Sequence, residues 1–389
     1  MITLALAGKP NCGKSTFFKA ATMANVDIAN YPFTTINPNF GVAYVRTECA
    51  CKGLNVKCTK CVDGNRFVAV NLIDVAGLVP DAHKGKGLGN QFLDNLRQAD
   101  AILHVIDASG GTDSEGNPVG VGNHDPSIDV KFLVYEMTMW VHGILDKHWV
   151  RISRQSQGKG AAIEQGIAET FTGLGITMED VRDIELKLRI DLVHAQIEDL
   201  IPLCAEIVKI SKPMLLVGNK FDEAPEELRT KLAAEKVAFT SAASELALRG
   251  AVAANVIRYL PGDAAFSVVN EATLSAPQKA GLAKIADVMK QNNGTGVQQA
   301  INRAVFELLD MIVVYPVEDE NHFCNKQGDV LPDAFLMKKG STPHDLAYQV
   351  HTEIGKGFLY AVDARTKMRI KETHELKNGD IIKIVSAAK

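Results

Sequence analysis

The sequence predicts a doubly wound, mostly parallel α/β sheet that carries a long helical insertion and is followed by a small α+β module. Three observations lead there. Near-continuously apolar runs ("ITLALA", "RFVAVNLID", "DAILHVIDA", "KPMLLVGNKFD" and "KVAFTSA") alternate with helical stretches, the pattern of parallel strands buried on both faces. That alternation stops between Ser109 and Pro213, roughly 100 residues and far beyond an ordinary connection. From about Met311 the texture changes to short strands around one helix.

Each element has its own signal. "MITLALA" lacks a basic leader and runs into a glycine-rich stretch, so it reads as a strand rather than a targeting segment. In the insertion, "SIDVKFLVYEMTMWVHGILDKHWV" places Ile128, Phe132, Met139, Ile144 and Leu145 at roughly helical spacing, and the interval reads as a subdomain of its own. Thr177 with Asp180 resembles a capping box that opens "MEDVRDIELKLRIDLV". Residues 244–310 read as mostly helical, broken at "LPGD" and "NNGTG". "MIVVYPV", "AFLMKK", "GFLYAV", "TKMRIK" and "DIIKIVS" read as the strands of the last module, with "TPHDLAYQVHTEI" as its helix. The expected boundaries are 1–110 with 211–305 for the sheet domain, 111–210 for the insertion and 310–389 for the module.

A chain of 389 residues is too long for one compact core. With 46% hydrophobic and 23% charged residues it has the composition of a soluble globular protein, and no apolar run is long enough for a membrane helix. A net charge of -4 provides no global field for nucleic acid, so such contact needs a local patch. Seven cysteines, an odd number, fit a reducing compartment better than a disulfide framework, and a cytoplasmic monomer is expected.

The chemistry starts at "GKPNCGKST", which matches G-x-x-x-x-G-K-[ST] at Gly8, Gly13, Lys14 and Ser15. Its glycines let backbone N–H groups wrap phosphates, Lys14 reaches the outer ones, and the Ser15 hydroxyl is placed to ligate Mg²⁺. Asp74 ends a buried strand in "NLIDVAGLV", where a carboxylate holds the Mg²⁺ water shell and the Gly77 N–H meets a terminal phosphate. "YPFTT" offers Thr34 or Thr35 to complete the metal shell. "GNKFD" places Asn219, Lys220 and Asp222 at another strand end, and an Asp there accepts N1–H and N2–H₂ of guanine, which adenine does not offer. "TSAA" adds Ser241 and Ala242, whose N–H is expected to meet guanine O6.

Together "GKPNCGKST", "NYPFTTINPN", "DVAGLVPDAHKGKGLGNQFL", "NKFD" and "TSAA" resemble the five G-motifs of the Obg superfamily of GTPases. The long stretch after "DVAGLV" is similar to the YchF-like branch, and the C-terminal module resembles a TGS domain of β-grasp type. The resemblance implies a P-loop G-domain that hydrolyses GTP as a switch, with the ribosome or translation as its setting. It places phosphates on Gly8, Lys9, Pro10, Asn11, Cys12, Gly13, Lys14, Ser15 and Thr16. Mg²⁺ then falls on Ser15 and Thr35 directly and on Asp74 through water, and the base on Asn219, Lys220, Asp222, Ser241 and Ala242. It also implies Asn11 as a ligand for K⁺. The residue after "DVAG" is Leu78 where Ras-like enzymes carry the water-orienting glutamine, so slow intrinsic hydrolysis is expected. The rival readings are an ATPase, as in many YchF-like proteins, a nucleotide-gated scaffold with little turnover, and a phosphotransferase. Lys220 and Asp222, kept in full, favour guanine.

Three features stand outside those motifs. In "CACKGLNVKCTKC", Cys49, Cys51, Cys58 and Cys61 read either as a structural Zn–S₄ site stapling a loop between two strands or as four reduced thiols. Cys12 is the thiol through which alkylation would block the phosphate loop, with bound nucleotide protecting it. Arg365, Lys367, Arg369 and Lys371 alternate, so a continuous strand would carry them on one face, either as a solvated surface or as an RNA- or ribosome-contacting stripe. His104 lies in a strand and reads as a buried structural residue; His83 and His124 read as solvated loop histidines before any catalytic role.

Overall fold

The computed structural model describes residues 1–22, 40–54, 56–78, 80–84, 96–156 and 159–387. Elements are numbered among these. "YPFTT", with Thr34 and Thr35, lies outside them.

A six-stranded sheet forms the first domain, in the order β2-β3-β1-β4-β5-β6. Its strands are β1 (Thr3–Ala7), β2 (Phe40–Glu48), β3 (Asn65–Asp74), β4 (Ala101–Asp107), β5 (Met214–Asn219) and β6 (Ala238–Phe239). All neighbours are parallel except β2 and β3. Every residue of β4 is buried, as a strand covered on both faces requires. The antiparallel edge strand β2 was not among the expected runs. Its free edge is closed at Arg46, whose backbone N–H and C=O both bond the Asn302 side chain at 2.9 Å.

Helix α1 (Lys14–Thr22) follows the glycine-rich turn. The insertion contains α2 (Ser127–Gln155), α3 (Gly160–Thr170), α4 (Met178–Leu188) and α5 (Ile201–Ser211). The Thr177–Asp180 capping box is formed, and the helix ends at Leu188, short of "RIDLV". Leu133, Met137, Val141 and Leu145 of α2 share one buried cluster with Ala5, Ala7, Ile73 and Ile102 of the sheet. The same cluster continues through Ile163, Ile167, Val181 and Ile184 of α3 and α4, so the insertion covers a face of the sheet and its apolar side chains are continuous with the sheet's. Helices α6 (Glu226–Ala234), α7 (Ala242–Ala253), α8 (Ala276–Asn292) and α9 (Val297–Asn302) complete the domain. A π-helical turn, Arg303–Leu308, leads out of it.

Between α7 and α8, β7 (Ile257–Arg258) and β8 (Ser267–Val268) form a separate two-stranded ribbon, and the C-terminal module is a five-stranded sheet in the order β10-β9-β13-β11-β12. The module's strands are β9 (Met311–Val317), β10 (Phe335–Lys338), β11 (Phe358–Asp363), β12 (Met368–Ile370) and β13 (Ile381–Ser386). The single helix expected here is two, α10 (Pro343–Val350) and α11 (Thr352–Lys356), split at His351. Along β9 the side chains alternate: Ile312 and Val314 enter the module's own core with Leu346 and Ile382. Val313, Tyr315 and Val317 face the other way, into a cluster shared with Val45, Cys49 and Val68 of the first domain. Both faces of β9 are buried, which is why "MIVVYPV" is apolar throughout.

The basic stripe does not form. Arg365 and Lys367 stand in the turn 364–367 between β11 and β12, Arg369 is on β12 and Lys371 follows it. Arg365 donates to Ala50 O and Gly379 O at 3.3 and 3.4 Å, the Lys367 ammonium lies over the Phe323 ring, and the Arg369 guanidinium lies 4.1 Å from the Tyr360 ring centroid. The four were read as one uninterrupted strand, but Lys367 takes a left-handed conformation (φ 61°) that breaks the period of two.

Candidate nucleotide-binding site

The described motif segments, those after β1, β3, β5 and β6, lie at the carboxyl ends of the parallel strands, where ligands of such sheets bind. The phosphate loop leaves β1 at Ala7 and closes at Lys14. Two glycines make it possible: a Cβ on Gly8 would lie 2.2 Å from Val105 O and one on Gly13 2.1 Å from Asn219 Nδ2, and both residues have positive φ. The buried Lys14 ammonium donates to Lys9 O and Gly8 O at 2.8 and 3.1 Å, which curls the loop around it. Ser15 is exposed in the first turn of α1 with Thr16 beside it. Pro10 packs beneath Gly77 and Gly116, each too close to it to carry a Cβ without a clash.

Asp74 lies beside Leu6 in the register of β1 and β3. Its Oδ1 is buried and has no hydrogen-bond partner among the described residues, an acceptor that suits a hydrated cation. The Asp74 carboxylate and the Ser15 hydroxyl are both oxygen donors, the kind that Mg²⁺ takes. Leu78 N–H donates to Gly8 O at 3.1 Å, while its side chain, 2% exposed, joins the cluster beneath α2. The residue in the glutamine position is therefore turned into the core. His83 Nδ1 lies 2.7 Å from Glu136 Oε2, and Glu136 also accepts from the N–H groups of Asp81 and His83 at 2.9 and 3.0 Å. Glu136 of α2 thus pins the segment after Leu78.

At the base end, Asn219 is the hub. Its Nδ2 donates to Cys12 O at 3.0 Å, and its Oδ1 accepts from Ala242 N–H at 3.0 Å and Thr240 Oγ1 at 3.3 Å. The Ala242 N–H expected to face guanine O6 is committed to Asn219 instead. The Ser241 side chain caps α7 through Ser244. Lys220 adopts φ 59°, and its ammonium pairs with Asp107 at 2.7 Å. The Asp222 carboxylate is half-buried and makes no hydrogen bond or ion pair among the described residues.

Asp107 is the functional residue that sequence reading passed over. Burial opposes its charge, but Lys220, the Ser109 hydroxyl at 2.6 Å and the Thr112 hydroxyl at 2.9 Å outweigh it and hold the carboxyl below its usual range. The signal was present: "VIDAS" ends a buried parallel strand in aspartate, as "NLIDVAG" does. The loop after it folds over the phosphate loop, with Asn11 Nδ2 donating to Gly116 O at 3.0 Å and Lys9 Nζ to Thr112 O at 2.7 Å.

Further expectations are corrected here. Lys9 is buried and ion-paired with Asp129 at 2.7 Å, so its side chain braces the loop from behind. His124 pairs with the same Asp129 at 3.1 Å, and His83 with Glu136; neither is a solvated loop histidine. Cys12 is fully buried, bonds Lys9 O, and is held protonated by desolvation, so it is a poor target for alkylation whether or not nucleotide is present. His104 is buried as expected, with burial pushing its pKa down to about 3.

Comparison with known proteins follows the same division of the chain. Residues 3–129 match the family described as 50S ribosome-binding GTPase. Residues 217–319 match the Obg-like GTPase YGR210-like, G4 motif-containing domain, and residues 322–386 the TGS domain. The chain is 50% identical over 402 residues to the uncharacterized GTP-binding protein MJ1332 of Methanocaldococcus jannaschii, covering all of both. It is 27% identical to the ribosome-binding ATPase YchF of Bacillus subtilis, over 92% of this chain and 87% of that one. A solved GTP-binding protein from Pyrococcus horikoshii OT3 superposes with a TM-score of 0.76 at 39% identity, covering 99% of this chain and 100% of that one. The chain belongs to the Obg superfamily of P-loop nucleotide-binding proteins, in its YchF-like branch with a C-terminal TGS domain. Among the described residues, no helix is long and apolar enough to cross a membrane.

Proposed function

We propose that the chain binds GTP with Mg²⁺ between the Gly8–Thr16 loop and the Asn219–Asp222 loop, and hydrolyses it slowly to GDP and phosphate as a switch. The observation that carries this reading is the Asn219 hub, which ties the phosphate loop to the strand end bearing an uncommitted Asp222 carboxylate. Asp222 accepts N1–H and N2–H₂ of guanine, and Lys14 and the loop N–H groups hold the phosphates. Mg²⁺, when bound, neutralises charge developing on the β- and γ-oxygens. Ser15 and Thr35 would ligate it directly and Asp74 through water. The inward-facing Leu78 leaves no side chain there to orient water; separately, Asn11 would hold a K⁺ that would supply the positive charge an arginine finger brings to the transition state. Asn11 Nδ2 is taken by Gly116 O, which leaves Oδ1 as the atom for the cation.

The names of relatives bring in the ribosome: one matched family is described as 50S ribosome-binding, and YchF of Bacillus subtilis as a ribosome-binding ATPase. We assign this chain the ribosome as its partner, with the C-terminal domain reporting nucleotide state through its packing on the sheet. The same relative's name keeps ATP as the second reading. Single-turnover hydrolysis of GTP and of ATP by the full chain, with and without ribosomes, tests both. Slow GTP turnover that ribosomes change supports the proposal; preferred ATP turnover overturns the base assignment, and indifference to ribosomes overturns the partner.

A further inference from the structure

The connection between β2 and β3 carries four thiols that the nucleotide site does not use. Glu48 at the end of β2 pairs with Asn65 at the start of β3, so the chain between them doubles back. Cys49 N–H donates to Gly64 O at 2.9 Å, and Val62 and Asn65 close a tight turn by bonding each other. These bonds bring Cys49 and Cys51 on one side against Cys58 and Cys61 on the other. All four sulfurs lie within 4.8 Å of one another, and Cys51 Sγ and Cys61 Sγ are 3.6 Å apart.

A single tetrahedral ion with metal–sulfur bonds of about 2.3 Å requires sulfurs roughly 3.8 Å apart. The observed spacing suits that, whereas a four-iron cluster, with each cysteine on a different iron, needs a wider ring. The donor set is entirely soft, which selects zinc over the hard cations, and among the described residues the group consists of four thiols with no histidine or carboxylate in it. Lys60 N–H points at Cys58 Sγ from 3.4 Å, the kind of outer hydrogen bond that steadies a metal-bound thiolate.

The cluster also lies where the two domains meet. Leu54, Cys51, Cys58 and Cys61 pack against the buried group that includes Tyr315 and Leu331 of the C-terminal domain. Cys58 Sγ is 3.7 Å from Val330 O, and Ala50 O accepts from Arg365 at 3.3 Å. We propose that Cys49, Cys51, Cys58 and Cys61 bind one Zn²⁺ as a tetrathiolate, and that the ion holds the β2–β3 connection in the shape on which the C-terminal domain docks. Each thiol releases its proton to solvent as its sulfur binds, and nothing is oxidised or reduced. The site is independent of the nucleotide reading.

Metal analysis of the full chain, purified under reducing conditions, is the first test, with one zinc per chain expected. The chelator-treated chain is then titrated with Co²⁺, which is expected to give the intense thiolate-to-cobalt and ligand-field bands of a tetrahedral sulfur site, bleached by added Zn²⁺. Amide exchange completes the test. Removing the metal is expected to speed exchange in residues 318–334 by about tenfold while α1 is unchanged. A reduced chain without metal and without the tetrahedral cobalt bands overturns the proposal, as does a Cys51–Cys61 disulfide in the native protein. Bound iron overturns the choice of zinc, and bound zinc with unaltered exchange at 318–334 overturns the docking role. The Cys58→Ser variant is expected to lose the cobalt bands and the Cys204→Ser variant to keep them.

Discussion

Asn219 Nδ2 and the Cys12 carbonyl oxygen are 3.0 Å apart, so one hydrogen bond joins the loop we assign to the base to the loop we assign to the phosphates. The same side chain holds Ala242 N–H, which makes three motifs depend on one amide. Asn219→Ala leaves a buried acceptor at Cys12 and a buried donor at Ala242 unpaired. The expected cost is about 2–4 kcal/mol of stability, read by urea unfolding, with weaker nucleotide binding beside it. Wild-type stability would contradict the hub.

Leu78 offers a sharper test of the slow-hydrolysis reading. Because its side chain is in the core beneath α2, a glutamine there buries an amide instead of reaching a water. Leu78→Gln is expected to lose about 1–3 kcal/mol of stability and gain no hydrolysis rate. A faster enzyme would show that the segment turns outward when nucleotide is bound.

The potassium assignment rests on Asn11, and its test compares turnover in KCl and NaCl. Wild-type hydrolysis is expected to be faster in KCl by about 10²-fold, the usual weight of one positioned electrostatic contact. Asn11→Ala is expected to erase the difference. An equal response in both proteins removes K⁺ from the mechanism.

His104 predicts a pH dependence of folding. Its folded pKa, about 3, lies below the ~6.5 of an unfolded histidine, so between those values the unfolded chain binds the extra proton. This contribution is intact above pH ~6.5 and is lost as pH falls toward 3, at about 1.4 kcal/mol per unit. Urea unfolding at pH 7 and 5 is expected to show a smaller acid loss for His104→Leu than for the wild type. Parallel losses would mean His104 charges freely in the folded protein.

The sequence showed the nucleotide site most clearly where spacing is a physical requirement. Gly8 and Gly13 are fixed by backbone approach to Val105 and Asn219, and buried parallel strands announce themselves as unbroken apolar runs. What stayed hidden depends on partners distant in sequence. The use of Lys220 was legible only once Asp107 was beside it, and the duty of Lys9 only once α2 brought Asp129 behind the loop. Strand β2, with Gly41, Arg46 and Thr47 along an edge, lacks the apolar run of its neighbours. The basic stripe failed because a period of two was carried through a turn at Lys367. The cysteine spacing was visible, but its place against the C-terminal domain was not.

The most direct measurement is competitive binding of GTP and ATP to the wild-type chain and to Asp222→Asn. A carboxylate that accepts two guanine N–H groups makes charge-assisted bonds of about 1.5–3 kcal/mol each. The wild type is expected to prefer GTP by about 10²-fold or more, and the variant to lose that preference while keeping its affinity for ATP. The amide also donates where the carboxylate only accepts, so the variant is expected to gain affinity for xanthosine triphosphate, whose 2-oxo group replaces the amino group. Guanine preference that survives in Asp222→Asn would contradict the assignment and move the base to another part of the molecule.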